Sequence, residues 1–529
     1  MSSNHNNQYL KNNIDWLQQD DILTTLPASK IGLEKETLRV GHEGKISQLP
    51  HPEALGAALT HNYITTDYSE ALTEFITPPL NTIQDALTFL NDTQKYVYDK
   101  LDNEIFWATS MPCVVAGETS IRIAEYGCSN AGKMKTVYRK GLGHRYGRVM
   151  QVIAGVHYNY SLSDPFWQKF QTHKENIDKL TDFISKEYFA LLRNLQRYGW
   201  VIPYLFGAPP AVCKSFLGGQ STNLEHFDVT TYYHPYATSL RMGDIGYQNN
   251  KENETGVKAN YNSLNKYVDS LKSATETPYS GYVNIGVINK GEYQQLNTHI
   301  LQIENEYYST VRPKQILHDN EKPSLALKKR GVQYVELRSL DVNAFEPSGI
   351  NEEQMYFIEA FILYCLLQES ASITEQEQIE IDHNEINTAH YGRTPGFELK
   401  QHGNKRLLKD WGVLICDEMQ SICMALDKAN QTDKYNKSLA VQREKFMDPD
   451  KTPSARMLAA MREKKEGFYH FALRLSEQHK DFFDKYSLSE TKVRFYKESV
   501  DESIQKQKEI EDADSISFSD YLQEYFSQT

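Results

Sequence analysis

Two glutamates in one short, strand-like run constrain how this chain can fold. Residues 31–40 read IGLEKETLRV and place Glu34 and Glu36 two positions apart. In a β-strand, residues i and i+2 point to one face, so the two carboxylates would stand side by side. Neighbouring carboxylates repel each other unless a cation lies between them. The run therefore predicts a strand whose face holds two solvated acids, an ion-pair structure or a metal site.

A second pair of acids lies in the segment YITTDYSEALTEFITPP, residues 63–79. Its β-branched ends and closing prolines predict two strands joined by a bend at residues 67–69. Asp67 and Glu74 have opposite parity along a strand, so a bend is needed to turn both side chains to the same side. The segment is therefore a candidate partner for the first strand.

Residues 149–162 show the clearest alternation in the chain. Apolar side chains at every second position predict a strand with one packed face. Gln151, His157 and Asn159 would share the other face. A lone histidine there has two interpretations, a hydrogen-bonded core residue or a metal ligand.

Two later segments also predict strands. Residues 332–341 place Glu336 and Arg338 on one face, where they could serve a metal and phosphate site or form a plain salt bridge. Residues 299–308 would present four polar side chains on one face: Gln302, Glu304, Glu306 and Tyr308.

Helical patterns accompany these strands and dominate the last third of the chain. Helices are predicted at residues 8–25, 82–101, 165–198 and 262–275 and from residue 351 onward, whereas residues 113–148 have an irregular pattern. Strands that come first and helices that follow favour an α+β fold with an antiparallel sheet over a doubly wound fold.

Composition narrows the class of protein. The net charge of −13 argues against a nucleic-acid-binding protein, because phosphate contacts need a basic face. The N-terminal residues lack the pattern of a secretory signal, and the most apolar run, residues 357–367, is too short to span a bilayer. We therefore expect a cytoplasmic protein with no membrane segment. The six scattered cysteines have no zinc spacing and are expected to be reduced.

Two glycine-containing segments nearly match known phosphate-binding motifs but lack a required feature. GCSNAGKM at residues 127–134 has Met134 where a P-loop needs a hydroxyl group for magnesium. Gly141, Gly143 and Gly147 miss the GxGxxG spacing by one residue. Neither a P-loop nor a dinucleotide-binding fold is expected. The acidic strands instead suit Mg²⁺, which prefers oxygen ligands shared among carboxylates, water and phosphates.

A series of ordered motifs between residues 30 and 345 can be compared with known families. They are GLEKETLR, HPEALGAALTH, ITTDYSEALTEFITP, YGCSNAGKMKTVYRKGL, QVIAGVHYNYSL, GWVIPYLFGAPPAVC, YATSLRMGDIGY, LQIENEYY, RPK and YVELRSLDVN, with TPSARML as a later marker. Together they resemble the bacterial glutamate–cysteine ligases of the proteobacterial type. The resemblance implies a glutamine-synthetase-like catalytic fold, in which helices surround an antiparallel sheet that forms a half-open barrel. It also implies Mg²⁺, or Mn²⁺ in its place, and ATP as co-substrate.

The resemblance also implies roles for particular residues. Six residues would hold the metal ions: Glu34, Glu36, Asp67, Glu74, His157 and Glu336. Arg338 would reach the ATP phosphates and form the catalytic set with Glu34 and Glu336, and Arg241 would fix a substrate carboxylate as a bidentate fork. Eight residues would line the amino-acid pockets: Gln151, Asn159, Tyr138, Arg139, Leu142, Tyr68, Tyr247 and Tyr308. For the tyrosines and the leucine, ordinary packing is the alternative role.

Two positions depart from the pattern of the family. Lys35 stands where an arginine is expected between the paired glutamates, but its side chain would point to the opposite face of the strand. Tyr68 stands where relatives have a phenylalanine against the cysteine side chain. The residues therefore leave open whether the acceptor is cysteine or another amine.

The implied reaction is ATP-dependent amide formation between L-glutamate and L-cysteine through a γ-glutamyl phosphate, the first step of glutathione biosynthesis. Two alternatives stay open: a γ-glutamyl ligase with another amine acceptor, and a non-catalytic amino-acid sensor on the same scaffold. We expect residues 1–529 to form a single catalytic unit and to act as a monomer. Its core would span about residues 25–345, followed by a helical part at about 350–529.

Overall fold

Strands and helices are interspersed along the chain, and the computed structural model describes residues 2–246, 258–318 and 320–528. The strands are β1 (Lys30–Gly41), β2 (Ile64–Thr66), β3 (Leu72–Ile76), β4 (Glu104–Phe106), β5 (Gly155–Ser161), β6 (Ala211–Cys213), β7 (Glu225–His226), β8 (Thr231–Tyr233), β9 (Ile288–Asn289), β10 (Glu292–Tyr293), β11 (Val311–Lys314), β12 (Tyr334–Asp341), β13 (Glu398–Gln401) and β14 (Asn404–Leu407). The helices are α1 (Ser2–Leu17), α2 (Asp20–Leu23), α3 (Ile83–Tyr98), α4 (Asn130–Tyr146), α5 (Asp164–His173), α6 (Leu180–Arg197), α7 (Val201–Phe206), α8 (Lys214–Leu217), α9 (Leu264–Glu276), α10 (Ser280–Val283), α11 (Pro323–Arg330), α12 (Glu352–Leu367), α13 (Glu375–Tyr391), α14 (Leu408–Asn430), α15 (Lys434–Met447), α16 (Pro453–Lys464), α17 (Phe468–Lys485), α18 (Glu490–Ala513) and α19 (Phe518–Ser527).

Seven of these strands form one antiparallel sheet at the centre of the fold. Six of them follow the order β11–β12–β5–β1–β3–β2, and β4 pairs with β1 off this path. The long strand β1 therefore has three neighbours, β3, β4 and β5. The predicted α+β class with an antiparallel sheet is confirmed, whereas closure of the sheet into a half-open barrel stays a prediction.

The register of the sheet brings the predicted acids together. Glu34 on β1 lies opposite His157 on β5, and Glu36 lies opposite Glu74 on β3. β2 and β3 pair across the predicted bend, which carries Asp67. Because strand parity turns Glu34 and Glu36 to one face, the register gathers carboxylates from β1 and β3 beside a histidine from β5.

Helix α12 packs on the opposite face of the sheet. Every side chain from 357 to 367 is buried, which explains why this run is apolar on all sides. Glu359 within it accepts hydrogen bonds from Tyr435 (2.7 Å) and from Tyr160 on β5 (3.3 Å), and burial raises the pKa of Glu359 to about 7. The apolar run is thus a central packing helix. Among the described residues, no helix has the length and the apolar character needed to cross a membrane.

The predicted strand at residues 299–308 is wrong. Glu304–Glu306 form a single turn of 3₁₀ helix. The Glu304 carboxylate accepts a hydrogen bond from the backbone N–H of Ser324 (2.7 Å), and the Glu306 carboxylate accepts one from Arg145 (2.9 Å). The alternating acids therefore serve two separate partners and do not share a strand face.

Two other predicted elements are shorter than expected. The strand predicted at 149–162 begins only at Gly155, because backbone bonds at Met150–Val152 close local 3₁₀ turns instead of joining a neighbouring strand. The single helix predicted at 165–198 is two helices, α5 and α6. Just after α5, Glu175 adopts a left-handed backbone conformation (φ +49°), which interrupts the helical path.

Helix α4 occupies part of the segment that was predicted to be irregular. Three glycines within it, Gly132, Gly141 and Gly143, lower its intrinsic helix propensity and hide it from pattern analysis. The Ser129 side chain caps its N-terminus by accepting a hydrogen bond from the N–H of Gly132 (3.1 Å). A Cβ atom on Gly141 would overlap the side chain of Gln302, so tertiary contact requires a glycine here.

The expectation that all cysteines are reduced is wrong for one pair. Cys113 and Cys213 form a disulfide with 5.5 Å between their Cα atoms. They lie 100 residues apart, so no local spacing could reveal the pair. The other four cysteines are free thiols, and of these only Cys128 is exposed.

A buried ion pair joins β1 to β4. The Arg39 side chain is fully buried and donates to both carboxylate oxygens of Glu104, at 2.9 and 2.8 Å. It also donates to the carbonyl oxygens of Leu49, Pro50 and Glu70. Removal of one partner from such a pair leaves an uncompensated charge inside the protein.

Glu104→Gln should therefore lower the free energy of unfolding by about 3–5 kcal/mol, because Arg39 loses its counter-charge. Chemical denaturation of the two proteins measures the difference. Glu398→Gln is the matched control, since it removes one partner of the exposed Glu398–Lys405 pair (2.9 Å), and it should leave stability nearly unchanged. Equal losses in the two variants would contradict the structural role of the buried pair.

Candidate active site

Glu34 lies at the centre of a group of polar side chains on one face of the sheet. Its Oε2 atom is 3.1 Å from Nδ1 of the buried His157, and its Oε1 atom accepts a hydrogen bond from Asn159 (2.9 Å). The amide oxygen of Asn159 is buried and accepts no hydrogen bond from the residues that the structure describes. This face therefore has an unused acceptor atom beside a carboxylate.

Glu36 and Glu74 extend this group toward β3. Glu36 accepts a hydrogen bond from the N–H of Gly155 (2.7 Å), and its Oε1 atom is 3.7 Å from Nε2 of His157. Glu34, Glu74 and His157 each offer one potential ligand atom, and these atoms lie within 4.8 Å of one another. The structure thus brings together residues from three strands that the sequence places up to 123 positions apart.

Burial and repulsion between like charges both act on this acidic group. The pKa of Glu74 is raised well above its usual range, first by burial and then by the charges of Glu34, Asp67 and Glu36. Burial also raises the pKa of Glu36. A cation bound among these carboxylates would oppose both effects. Carboxylate oxygens together with the imidazole of His157 are a donor set that fits a divalent ion such as Mg²⁺.

Basic side chains border the acidic group on β11 and β12. Glu336 is buried, with its Oε1 atom 3.0 Å from Nη1 of Arg338 and its Oε2 atom 3.4 Å from Nζ of Lys314. Burial alone would raise the pKa of Glu336, but Lys314 and Arg338 hold it well below its usual range. Nη1 of Arg338 is also 3.5 Å from Nδ1 of His157. The site therefore combines an acidic half with cations that can stabilise a phosphate.

Arg241 is buried beside β5 and β12. Its Nη1 atom is 3.4 Å from Oδ1 of Asp341, and its Nη2 atom donates a hydrogen bond to the carbonyl oxygen of Arg338 (3.0 Å). A Cβ atom on Gly155 would overlap Nη2, so this glycine allows the guanidinium to approach the sheet. The guanidinium is thus held in a defined orientation by its own chain.

Two residues of the site, Lys314 and Asp341, were not predicted. Lys314 closes the short RPK motif, whose pairing with β12 is visible only in the sheet. Asp341 has the wrong parity for the face of Glu336 in a regular strand, but the register of β12 shifts between Leu337 and Leu340. A bulge of this kind has no pattern that the sequence alone reveals.

Helix α4 borders the acidic group near the turn after β2. Nε of Arg139 donates a hydrogen bond to the carbonyl oxygen of Asp67, and the guanidinium lies 4.6 Å from the ring centre of Tyr126. Tyr68 is buried, and its hydroxyl has no hydrogen-bond partner in the described part of the chain. A Cβ atom on Gly143 would touch that hydroxyl, so α4 packs directly against Tyr68. Helix α4 therefore forms one wall of the space around Asp67 and Tyr68.

The remaining residues predicted to line the amino-acid pockets lie in several different parts of the structure. Tyr308 lies near two arginines of the site, whose charges act on its hydroxyl, although burial raises the pKa of Tyr308 overall. Tyr138 packs between the main core and a small cluster that includes the C-terminal helix. Leu142 and Gln151 are buried. Tyr247 lies outside the described residues.

An antiparallel sheet that presents clustered carboxylates beside arginine and lysine is typical of enzymes that bind nucleotide phosphates through divalent cations. Comparison with known proteins defines the family within this class. A family model described as glutamate–cysteine ligase matches residues 14–388, which is more than half of the chain. The chain belongs to the glutamate–cysteine ligase family.

Individual relatives cover nearly the whole chain. The glutamate–cysteine ligase of Alcanivorax borkumensis is 43% identical over 525 residues, 98% of this chain and 99% of that protein. The glutamate–cysteine ligase of Pseudomonas putida KT2440 is 46% identical over 480 residues, 91% of each chain. The crystal structure of the Francisella tularensis glutamate–cysteine ligase in complex with AMP has a TM-score of 0.88 at 36% identity, covering 94% of this chain and 97% of that chain. A bifunctional glutathione synthetase from Pasteurella multocida shares the fold, with a TM-score of 0.70 at 24% identity over 89% of this chain and 55% of that chain.

The repulsion around Glu74 predicts a pH-dependent stability. Because its pKa is raised in the folded chain, the folded state binds more protons than the unfolded state above the ordinary value of 4.5, and the group destabilises the fold increasingly as pH rises. In chelator-treated protein, Glu74→Gln should raise the melting temperature more at pH 8 than at pH 5. Thermal unfolding at the two pH values measures this difference. Glu398→Gln should shift the melting temperature equally at both, and a destabilised Glu74→Gln protein at pH 8 would contradict the prediction.

Proposed function

We propose that this chain joins the γ-carboxylate of L-glutamate to the amino group of L-cysteine with ATP, the first step of glutathione biosynthesis. The observation that carries the proposal is the convergence of Glu34, Glu36, Glu74 and His157 beside Arg338, in a chain of this family. Its relatives are named for the same activity, and one of their structures contains AMP. Phosphoryl transfer to a carboxylate needs a site of this kind, which compensates phosphate charge.

The acidic group would hold Mg²⁺, or Mn²⁺ in its place. Its ligands would be Glu34, Glu36, Asp67, Glu74, His157 and Glu336. Support comes from the repulsion among these carboxylates and from the unused amide oxygen of Asn159 beside them. When bound, the ions supply positive charge to the phosphate oxygens of ATP. The chain contributes the fixed spacing of the carboxylates, which follows from the pairing of β1 with β3 and β5.

The basic half of the site would act on the transferred phosphoryl group. A γ-carboxylate oxygen of glutamate attacks the terminal phosphorus of ATP, ADP leaves, and γ-glutamyl phosphate forms. Arg338 would stabilise the charge on the phosphoryl oxygens, and Lys314 would add a second positive charge beside Glu336. The cysteine nitrogen then attacks the acyl carbon, and phosphate departs. No side chain of the enzyme forms a covalent bond to substrate in this scheme.

The amino-acid pockets would lie around Arg241 and helix α4. Arg241 would bind a substrate carboxylate, because Asp341 and the carbonyl oxygen of Arg338 already orient its guanidinium. The other pocket residues would be Gln151, Asn159, Tyr138, Arg139, Leu142, Tyr68, Tyr247 and Tyr308. Tyr68 would face the side chain of the acceptor, so its hydroxyl bears on the choice between cysteine and another amine.

The proposal also covers the domain organisation, the shape of the central sheet, the oligomeric state and the cellular location. One buried core runs from Leu10 to Val500, which supports a single catalytic unit over residues 1–529, with the catalytic strands within about 25–345. The central sheet would curve into the half-open barrel of glutamine-synthetase-like ligases, surrounded by helices. The chain would act as a monomer in the cytoplasm, where ATP is available, and its net charge of −13 disfavours a nucleic-acid partner.

ADP release by the purified protein tests the reaction. With Mg²⁺, ATP and glutamate, we expect ADP release to require added cysteine and to match the formation of γ-glutamylcysteine. Release that needs no acceptor would overturn the proposal. A comparison of cysteine with 2-aminobutyrate, serine and alanine distinguishes the cysteine ligase from a ligase with another amine acceptor. Amino-acid binding with no ADP release for any acceptor would favour the sensor.

Arg241→Lys tests the carboxylate-binding role. Lysine offers a point charge instead of a planar fork, so the KM of one amino-acid substrate should rise about 10-fold while the KM of ATP changes less than about 2-fold. Steady-state kinetics with each substrate varied in turn measure both effects. Arg443→Lys is the control, since Arg443 forms an exposed pair with Asp417 (2.8 Å). An unchanged KM for both amino acids would remove Arg241 from the pocket.

A further inference from the structure

The C-terminal strap, defined here as residues 511–528, contacts the start of helix α4 from outside the active site. Glu511 accepts a hydrogen bond from the backbone N–H of Cys128 (2.9 Å). Asp514 accepts one from the backbone N–H of Asn130, the first residue of α4. Amide groups at the start of a helix have no partners within the helix and favour negative charge. Asp514 therefore caps this end of α4, and Glu511 holds the chain two residues before the helix.

The strap approaches this end of α4 at close range. Gly127 has a left-handed conformation (φ +79°), and a Cβ atom there would overlap the carboxylate of Glu511. The Asn130 side chain donates a hydrogen bond to the carbonyl oxygen of Ile516 (3.0 Å). Backbone N–H groups of the motif GCSNAGKM thus donate to carboxylates of the same chain. In a P-loop the corresponding N–H groups donate to a phosphate.

A small hydrophobic cluster provides a second, separate attachment. Its buried members come from α4, from α19 and from one loop: Met134, Val137, Leu296, Leu522 and Tyr525. The far end of α19 is fixed by Lys322, whose ammonium group donates to the carbonyl oxygens of Phe526 and Gln528, each at 3.0 Å. The strap is therefore anchored at both of its ends and packs on α4 between them.

The strap side and the active-site side are neighbouring faces of the same helix. Met134, Val137 and Tyr138 are spaced three and four residues apart and share the face toward the strap. Arg139 and Leu142 share the next face, from which Arg139 reaches the turn after β2. The face on which the strap packs therefore adjoins the face that contacts the turn after β2.

The other end of α4 is held independently of the strap. The side chains of Arg145 and Glu306 are fully buried and form an ion pair at 2.9 Å. Arg145 also donates two hydrogen bonds to Gln295, at 3.0 and 2.9 Å. Loss of the strap contacts would thus loosen the N-terminal half of α4 while its C-terminal end stays fixed.

We propose that the strap positions the pocket of the acceptor amino acid, with Glu511 and Asp514 as positioning residues. Arg139 lies at the middle of α4, directly after the strap-facing Val137 and Tyr138, and donates to the carbonyl oxygen of Asp67, so movement of the N-terminal half of the helix displaces this wall of the pocket. The acidic group stands on β1, β3 and β5 and makes no hydrogen bond to the strap among the described residues. This inference rests on the proposed function, because it takes cysteine as the acceptor at Tyr68.

The test is the double variant Glu511→Ala/Asp514→Ala in the full-length chain. We expect the KM of cysteine to rise about 5- to 10-fold, while the KM values of ATP and glutamate stay within about 2-fold of the parent. Asp512→Ala is the matched control, since Asp512 is an exposed acid between the two positioning residues, and it should behave like the parent. Equal increases for all three substrates, or no increase for cysteine, would overturn the proposal.

Two further variants distinguish positioning by the strap from a general loss of native structure. Glu511→Gln/Asp514→Asn keeps the acceptor oxygens and loses only the charges, so its KM for cysteine should lie between those of the parent and the alanine variant. Leu522→Ala loosens the hydrophobic attachment and leaves both acids in place, and it should also raise the KM of cysteine selectively. If the conservative variant is as impaired as the alanine variant, or Leu522→Ala raises all three KM values, positioning through the strap is wrong.

Hydrogen exchange provides a measurement that does not depend on turnover. Amides of residues 133–139 should exchange faster in the alanine double variant than in the parent, while amides of β1 and β5 should exchange at parental rates. Unchanged exchange in 133–139 would overturn the strap proposal even if the ligase reaction is confirmed. Conversely, faster exchange in a chain that does not use cysteine would support the strap contact and reject the proposed function.

Discussion

Repulsion between carboxylates on one face of an antiparallel sheet is the constraint on which the rest of the structure depends. The register puts Glu36 directly opposite Glu74 and places Glu34 opposite His157. Like charges opposite each other destabilise a sheet, and burial removes the water that would screen them. This face therefore favours a bound cation and contributes little to folding without one. Stability has to come from other parts of the molecule.

The opposite face of the same strands supplies that stability. Lys35 lies between the two glutamates in sequence, but it points away from them, as its parity predicts, and donates to Gln94 on α3 (2.5 Å). Further along β1, Arg39 forms its buried pair with Glu104. Helix α12 packs with every side chain from 357 to 367 buried. Strand parity thus places the clustered acids on one face of β1 and the packing residues on the other.

Parity also explains how much of the site could be predicted from the sequence. Glu34, Glu36, His157 and Asn159 lie in segments whose alternation is visible, so their shared face followed from spacing alone, while the residue roles came from the family resemblance. Glu304 shows the same alternation with its neighbours, yet it is bound to Ser324 outside any strand. Alternation reports the spacing of side chains and not their partners.

Long-range contacts account for what could not be predicted. Helix α4 contains three glycines, and its place in the fold depends on partners far along the chain, from Glu306 to Asp514. The pairing that brings Lys314 to Glu336 is equally invisible before the sheet is known. The two parts of the candidate site therefore have different partners: strand register brings Lys314 to Glu336, whereas helix α4, which packs against Tyr68, also contacts the C-terminal residues. Because these interactions share few residues, the proposed strap acts on the wall formed by α4 and not on the spacing of the acidic group, which is set by the pairing of β1 with β3 and β5.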